Sequence, residues 1–246
     1  TTGSGTTTGS GTGKAYSYSV NTTAGFSIVA YGGNGSSGHT IPHHLGAAPS
    51  VVFIKNLSDS EEWRCGFTAL SSNFSSGVHL STNDGAWTQS GAFNDTAPSS
   101  TVFTVGNFNS VNGDGDNLIA YCFAEKRGFS QFGKYISNNT ANNGPFVFTG
   151  FAPAFVLTKI TSTGGAHWRI FDNKRDGFNG ANQYLKPDNT DTESNDNPSQ
   201  MDLLSNGFKL RGAEGDSNYN TETVIYMAFA ENPLVDSTGK KPATAR

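Results

Sequence analysis

Apolar and polar residues alternate over short runs along this chain, and no window keeps the 3.6-residue beat of a long helix. Tyr16, Tyr18 and Val20 share one face of an extended segment while Ser17 and Ser19 share the other, the period-2 mark of a half-buried strand. The same reading predicts strands over 26–31, 50–56, 63–67, 102–107 and 118–125. A second series follows over 131–136, 145–149, 155–160, 168–171, 207–211 and 224–231. Gly-, Asn- and Pro-rich turns separate them, which predicts an all-β protein of β-sandwich, jelly-roll-like topology.

The two series are copies of each other. Ala48-Pro49-Ser50-Val51-Val52-Phe53-Ile54-Lys55 returns 104 positions later as Ala152-Pro153-Ala154-Phe155-Val156-Leu157-Thr158-Lys159. Trp63-Arg64 returns as Trp168-Arg169, and Phe123-Ala124-Glu125 as Phe229-Ala230-Glu231. A period this long is a tandem domain pair, not a solenoid of short repeats. The expected organisation is an arm over 1–20, homologous sandwich domains over 21–128 and 129–234, and a tail over 235–246. Residues common to both copies build the fold; residues unique to one copy are where a special activity would sit.

Thr1 to Gly13 holds only Thr, Gly and Ser. With no apolar surface to bury, such a segment alone reads as a flexible arm, able to reach about 45 Å when extended. An arm of that length joined to a strand is the layout for strand addition into a neighbouring subunit, with Tyr16, Tyr18 and Val20 filling alternate pockets. The plainer alternative pairs that strand with its own domain and leaves only the arm to wander.

Composition narrows the partners. Charged residues make up 15% of the chain and the net charge is −4 with no basic block, so phosphate-backbone binding has no electrostatic basis. No apolar run reaches the length of a membrane span. Eighteen Phe supply the apolar mass, against 30 Gly for the turns. Cys65 and Cys122 correspond to Ile170 and Ala228 of the second copy, so both are read as small buried hydrophobes, the alternative being a disulfide that closes a long loop in the first copy.

The side chains that carry chemistry do not assemble into a known motif. His39, His43 and His44 have a spacing that would touch a metal but lack a partner set, and they read as loop or edge histidines. Asn112 to Asn117 offers carboxylates and amides to a hard cation but lacks the spacing of a calcium loop and reads as a strand-connecting turn, and the acidic stretch from Asp188 to Asp196, which could bind calcium, reads by default as a solvated loop. Glu125 and Glu231 are equivalents in separate domains, not a catalytic pair. Trp87 has no Trp at the same place in the second copy and sits beside Asn83 and Asp84, so these three form the candidate ligand site, an aromatic platform with polar neighbours suited to a sugar. The alternative is a loop Trp folded back on its own domain or buried between subunits. Asn-x-Ser/Thr triplets at Asn21, Asn34, Asn56, Asn73, Asn94 and Asn138 permit glycosylation without arguing for it. No cofactor and no metal is expected.

Several segments in order carry a resemblance: Thr40-Ile41-Pro42-His43 leading into Leu45-Gly46-Ala47-Ala48-Pro49, Phe146-Val147-Phe148-Thr149-Gly150-Phe151, Phe132-Gly133-Lys134-Tyr135, Ile119-Ala120-Tyr121-Cys122-Phe123-Ala124-Glu125 and Leu204-Ser205-Asn206-Gly207-Phe208-Lys209. Together they resemble an uncharacterised tandem β-domain family found in tailed-phage structural proteins, tail fibres and appendages. The resemblance spans roughly residues 25–233 and leaves the arm outside. It implies a structural or adhesive role, extracellular or in a virion, and brings no catalytic residues. The expected function is therefore non-enzymatic self-assembly into a phage appendage or extracellular fibre. The alternative is a receptor- or glycan-binding module using the loops around Trp87, with a cell-surface glycan as partner.

Overall fold

The computed structural model describes residues 1–176, 179–195, 200–213 and 215–231. They form an all-β protein of two compact units. The first comprises Thr1–Leu80 with Ala86–Glu125, and the second comprises Ser81–Gly85 with the chain from Lys126 onward.

The first unit contains β1 (Thr2–Thr6), β2 (Thr8–Gly9), β3 (Ala15–Asn21), β4 (Phe26–Gly32), β5 (His39–Pro42) and β6 (Val51–Asn56). It continues with β7 (Arg64–Phe67), β8 (Ser76–His79), β9 (Trp87–Thr88), β10 (Val102–Val105) and β11 (Asn117–Phe123), plus the one-turn helices α1 (Ser90–Phe93) and α2 (Asn109–Asn112). An eight-stranded sheet in the order β1-β3-β4-β11-β6-β7-β8-β9 faces a three-stranded sheet in the order β10-β5-β2. Alternation decides what lies between them. Val29 and Tyr31 of β4 and Leu118, Ala120 and Cys122 of β11 point inward against Ile41, Phe103 and Val105 of the smaller sheet. Phe26, Phe53 and Phe123 pack tilted and edge-to-face along the opposite face with centroids 4.9 and 5.6 Å apart, pairs worth about 1 kcal/mol each beyond their buried area.

The second unit contains β12 (Ser130–Ile136), β13 (Phe146–Phe148), β14 (Pro153–Ile160), β15 (Arg169–Asp172), β16 (Gln183–Tyr184), β17 (Ser194–Asn195), β18 (Met201–Leu204), β19 (Gly207–Leu210) and β20 (Thr223–Ala230), with helix α3 (Gly215–Asn218). Its main sheet runs β12-β20-β14-β15, the same order as β4-β11-β6-β7 in the first unit. The smaller sheet runs β13-β19-β18, and its β13–β19 pair matches β5–β10.

The arm departs from the sequence expectation. Thr1–Gly13 is not a free tail: β1 pairs antiparallel with β3 from Thr2↔Ser19 to Thr6↔Ala15, and β2 pairs with β5. The glycines explain how so polar a segment holds its place. Gly3 lies opposite Tyr18 and Gly5 opposite Tyr16, and a Cβ on either would come within 2.9 Å of the tyrosine ring. Each ring therefore lies flat across the glycine, an aromatic cover over an otherwise bare strand. Main-chain hydrogen bonds and these two rings replace the apolar side chains that the segment lacks.

Gly3→Val is expected to lift the Tyr18 ring, abolish hydrogen-exchange protection of the amides at positions 3 and 5 and cost about 1–2 kcal/mol in the first unit's unfolding. Ser4→Val, on the other face of the same strand, is expected to leave protection intact.

Candidate functional site

The feature that distinguishes the two units is the seat of the arm. β3 covers the edge of β4 in the register Tyr16↔Tyr31 to Asn21↔Phe26. β2 covers the edge of β5 with Thr8↔Thr40 and Gly9↔His39, and the two threonine hydroxyls lie 2.8 Å apart. In the second unit the matching edges, β12 and β13, end their sheets. Tyr16, Tyr18 and Val20, singled out in the sequence for assembly, thus lie on the first unit's own sheet. Val20 is a core residue. Tyr18 stacks on His44 with centroids 3.7 Å apart, and the Tyr16 hydroxyl meets His44 Nε2 at 3.0 Å.

Asn34 clamps the arm. Its Nδ2 donates to the carbonyls of Ser10 and Thr12, each at 2.9 Å, and lies the same distance from His39 Nδ1. Its main-chain N–H donates to Oδ1 of Asn112 at 2.9 Å. Asn112 closes helix α2 onto the sandwich: it is fully buried, and its Nδ2 donates to the carbonyls of Ser36 (3.0 Å) and Gly106 (2.8 Å). The second unit has the same lock without the arm. Asn218 Oδ1 accepts the N–H of Asn138 at 2.9 Å and its Nδ2 donates to Gly212 O at 2.7 Å, while Asn138 Nδ2 turns to Asn143 O within its own loop. Beside each lock a buried tyrosine hydroxyl donates to the helix: Tyr31 to Val111 O at 2.6 Å, and Tyr135 to Ser217 O at 2.7 Å. Burial raises both phenol pKa values, so these stay donors.

An arginine over an aromatic ring is the other shared device. Arg64 lies 5.3 Å from the ring centroids of Trp87 and Phe108 and donates to Gln89 Oε1 at 2.7 Å. Arg169 lies 4.1 Å from Tyr184 and donates to Asp216 Oδ2 at 3.1 Å. Such contacts contribute about 0.5–2 kcal/mol each according to desolvation. They also decide between the two readings of Trp87. Its indole is 9% exposed, stacks on Phe93 and lies over Gly77, where a Cβ would sit 2.4 Å from the ring, so no face is left for a sugar. The matching aromatic, Tyr184, lies outside the register of the repeat, which is why the sequence made Trp87 look unique. Asn83 and Asp84 belong to the second compact unit, where Asn83 O accepts from Gly165 N–H at 2.9 Å and Asp84 Oδ2 from the Thr82 hydroxyl at 2.9 Å.

The remaining candidates disperse into structure. His39 meets Asn34 and Ser10, His43 meets Ser99 O and Leu45 N–H, and His44 stacks on the tyrosines; burial lowers all three pKa values, favouring neutral rings. Asp114 pairs with Lys14 and Asp116 accepts from Asn56. In the acidic stretch Asp188 pairs with His167, Asp191 with Lys186, and Glu193 with Arg175; Asp196 lies outside the described residues. Among the described residues no group of three or more His, Cys, Asp or Glu is placed to hold a metal ion. Cys65 and Cys122 are free and buried, and burial pushes both thiols up.

Asn112→Ala is expected to leave the Ser36 and Gly106 carbonyls buried without their donor, at about 2–3 kcal/mol in the first unit's denaturant transition. Asn218→Ala should do the same to the second unit alone. Lys159 provides a pH test. Fully buried and bonded to Ala166 O, its ammonium is pushed down to about 8 by burial, although Asp188, Asp216 and Asp84 pull it back up. Above that pH the folded state sheds a proton that the unfolded chain keeps up to its ordinary pKa of 10.5, so the second unit gains stability as pH rises from about 8 to 10.5. Lys159→Met should flatten that rise in urea titrations.

No curated protein and no solved structure matches the chain. One family model, described as a domain of unknown function (DUF7483), matches residues 1–233, a span that takes in the arm and reaches into both units. The chain belongs to that family.

Proposed function

We propose that this chain is a non-enzymatic structural subunit of a phage appendage or other extracellular fibre, and that it assembles with copies of itself through its N-terminal arm. The observation that carries this reading is the open edge of β1. Strand β3 is occupied within its own unit, but β1 ends the eight-stranded sheet, and its five residues are uncharged and small. Natural sheets guard free edges with charge, proline or a covering loop; an unguarded edge is a surface made for pairing. The buried Arg169, Asn112, Asn218, Tyr31 and Tyr135 described above support the same reading, since they hold helices and strands in place.

Light scattering over a concentration series, followed by electron microscopy, tests the reading on the full chain and on a chain lacking residues 1–13. Assemblies from the full chain alone are expected. Monomers throughout, or equal assembly of both chains, would overturn it.

A further inference from the structure

We infer that the free edge of β13 in one copy of the chain receives the free edge of β1 in a second copy, so that chains join head to tail. This rests on the self-assembly proposed above and identifies its acceptor. The edges of the sheets are not equivalent. β2 and β9 are two residues long. β10 is three-quarters buried and leans on α1 through Gly106 N–H to Ala92 O at 2.8 Å. β15 is bridged at Ile170 by Leu185, and β18 at Met201 by Ala181. β12 presents the exposed charge of Lys134. Among the described residues β1 and β13 remain, each longer than two residues and without a charged side chain.

β13 is also where the apolar surface shows. Phe146 is 46% exposed and Phe148 62%, two of five large hydrophobic side chains exposed among the described residues. Leu210 N–H donates to Pro145 O and Thr149 N–H to Asn206 O, so alternation turns the main chain of Phe146 and Phe148 away from β19. Gln131, with its amide oriented to satisfy its hydrogen bonds, donates to Phe148 O at 3.0 Å; among the described residues both groups of Phe146 and the N–H of Phe148 are left for a newcomer. On β1, Val20 N–H donates to Thr1 O, so alternation turns the main chain of Thr2, Ser4 and Thr6 away from β3. Antiparallel pairing of these two sets would lay the phenyl rings against small Thr and Ser side chains.

The first unit shows the chemistry of such a partner. There the strand matching β13 is β5, and a Thr-Gly segment of the arm covers its edge. An uncharged Thr/Gly/Ser strand is thus what this fold already places on that edge, and a second copy supplies one in β1. Because the two surfaces differ, the contact is heterologous and propagates until it closes a ring or continues as a filament.

Two variants test it. Ser4→Lys places a charge on the donor edge and Phe148→Glu one on the acceptor edge; both positions are exposed, and melting curves check that each variant folds. Each alone is expected to fall to the 26.0 kDa chain mass in light scattering. Mixed in equal amounts they should assemble beyond that mass again. The unaltered β1 of the Phe148→Glu chain can seat on the unaltered β13 of the Ser4→Lys chain, and at the next junction the introduced ammonium meets the introduced carboxylate. Wild-type assembly unchanged by Phe148→Glu would overturn this acceptor while leaving self-assembly standing. Loss on Phe148→Glu with none on Ser4→Lys would overturn the pairing in favour of β13 meeting itself. A wild-type chain that stays monomeric would remove the proposed function and the inference together.

Discussion

A sheet that does not close on itself must end, and its last strand carries main-chain donors and acceptors with nothing beside them. That constraint organises this molecule. The first unit spends its N-terminal segment on it: three consecutive pieces of chain cover β4 and β5, and the outermost piece becomes a new edge made only of Thr, Gly and Ser. The odd composition of the segment follows from the task. Glycine leaves room for the tyrosine rings on one face, and small hydroxyl side chains occupy the other without adding apolar surface.

Asn34 joins two tasks in one side chain. It bonds the arm through its amide and the α2 lock through its main chain, so the ordering of the arm is linked to the packing of the helix turn behind it. Asn138 occupies the same place in the second unit and completes its bonds locally. The pair shows a fold made independent of the arm by redirecting one amide. It also shows why these two Asn-x-Ser/Thr triplets exist as structure: Asn34 Oδ1 accepts from Ser36 N–H and Asn138 Oδ1 from Thr140 N–H, each a short Asx turn.

The strands were legible where burial imposes a pattern. β4, β6, β11, β14 and β20 lie within two or three residues of the segments read from alternation and apolar runs, because a strand with core on one or both faces must advertise it. Their shared order follows the repeat that the sequence displays. β1 and β2 were illegible because their stability resides in main-chain bonds and in rings contributed by β3, neither of which leaves a trace in their own side chains. Trp87 was left between two readings for a related reason. What buries it is the absence of a side chain at Gly77 and a stack on Phe93, contacts set by pairing across β8 and β9 rather than by the polar residues beside it in sequence.

The order in which the chain is made gives the arm a further consequence. β1, β3 and β4 are close in sequence, and their contacts close short loops, which form early at small entropic cost. The other neighbour of β4 is β11, whose residues are synthesised only after six further strands of the unit. One side of β4 therefore has its partner available in the nascent chain before the other. The segment that fills the edge of the finished sheet is, during synthesis, a built-in companion that halves the strand surface open to the wrong partner.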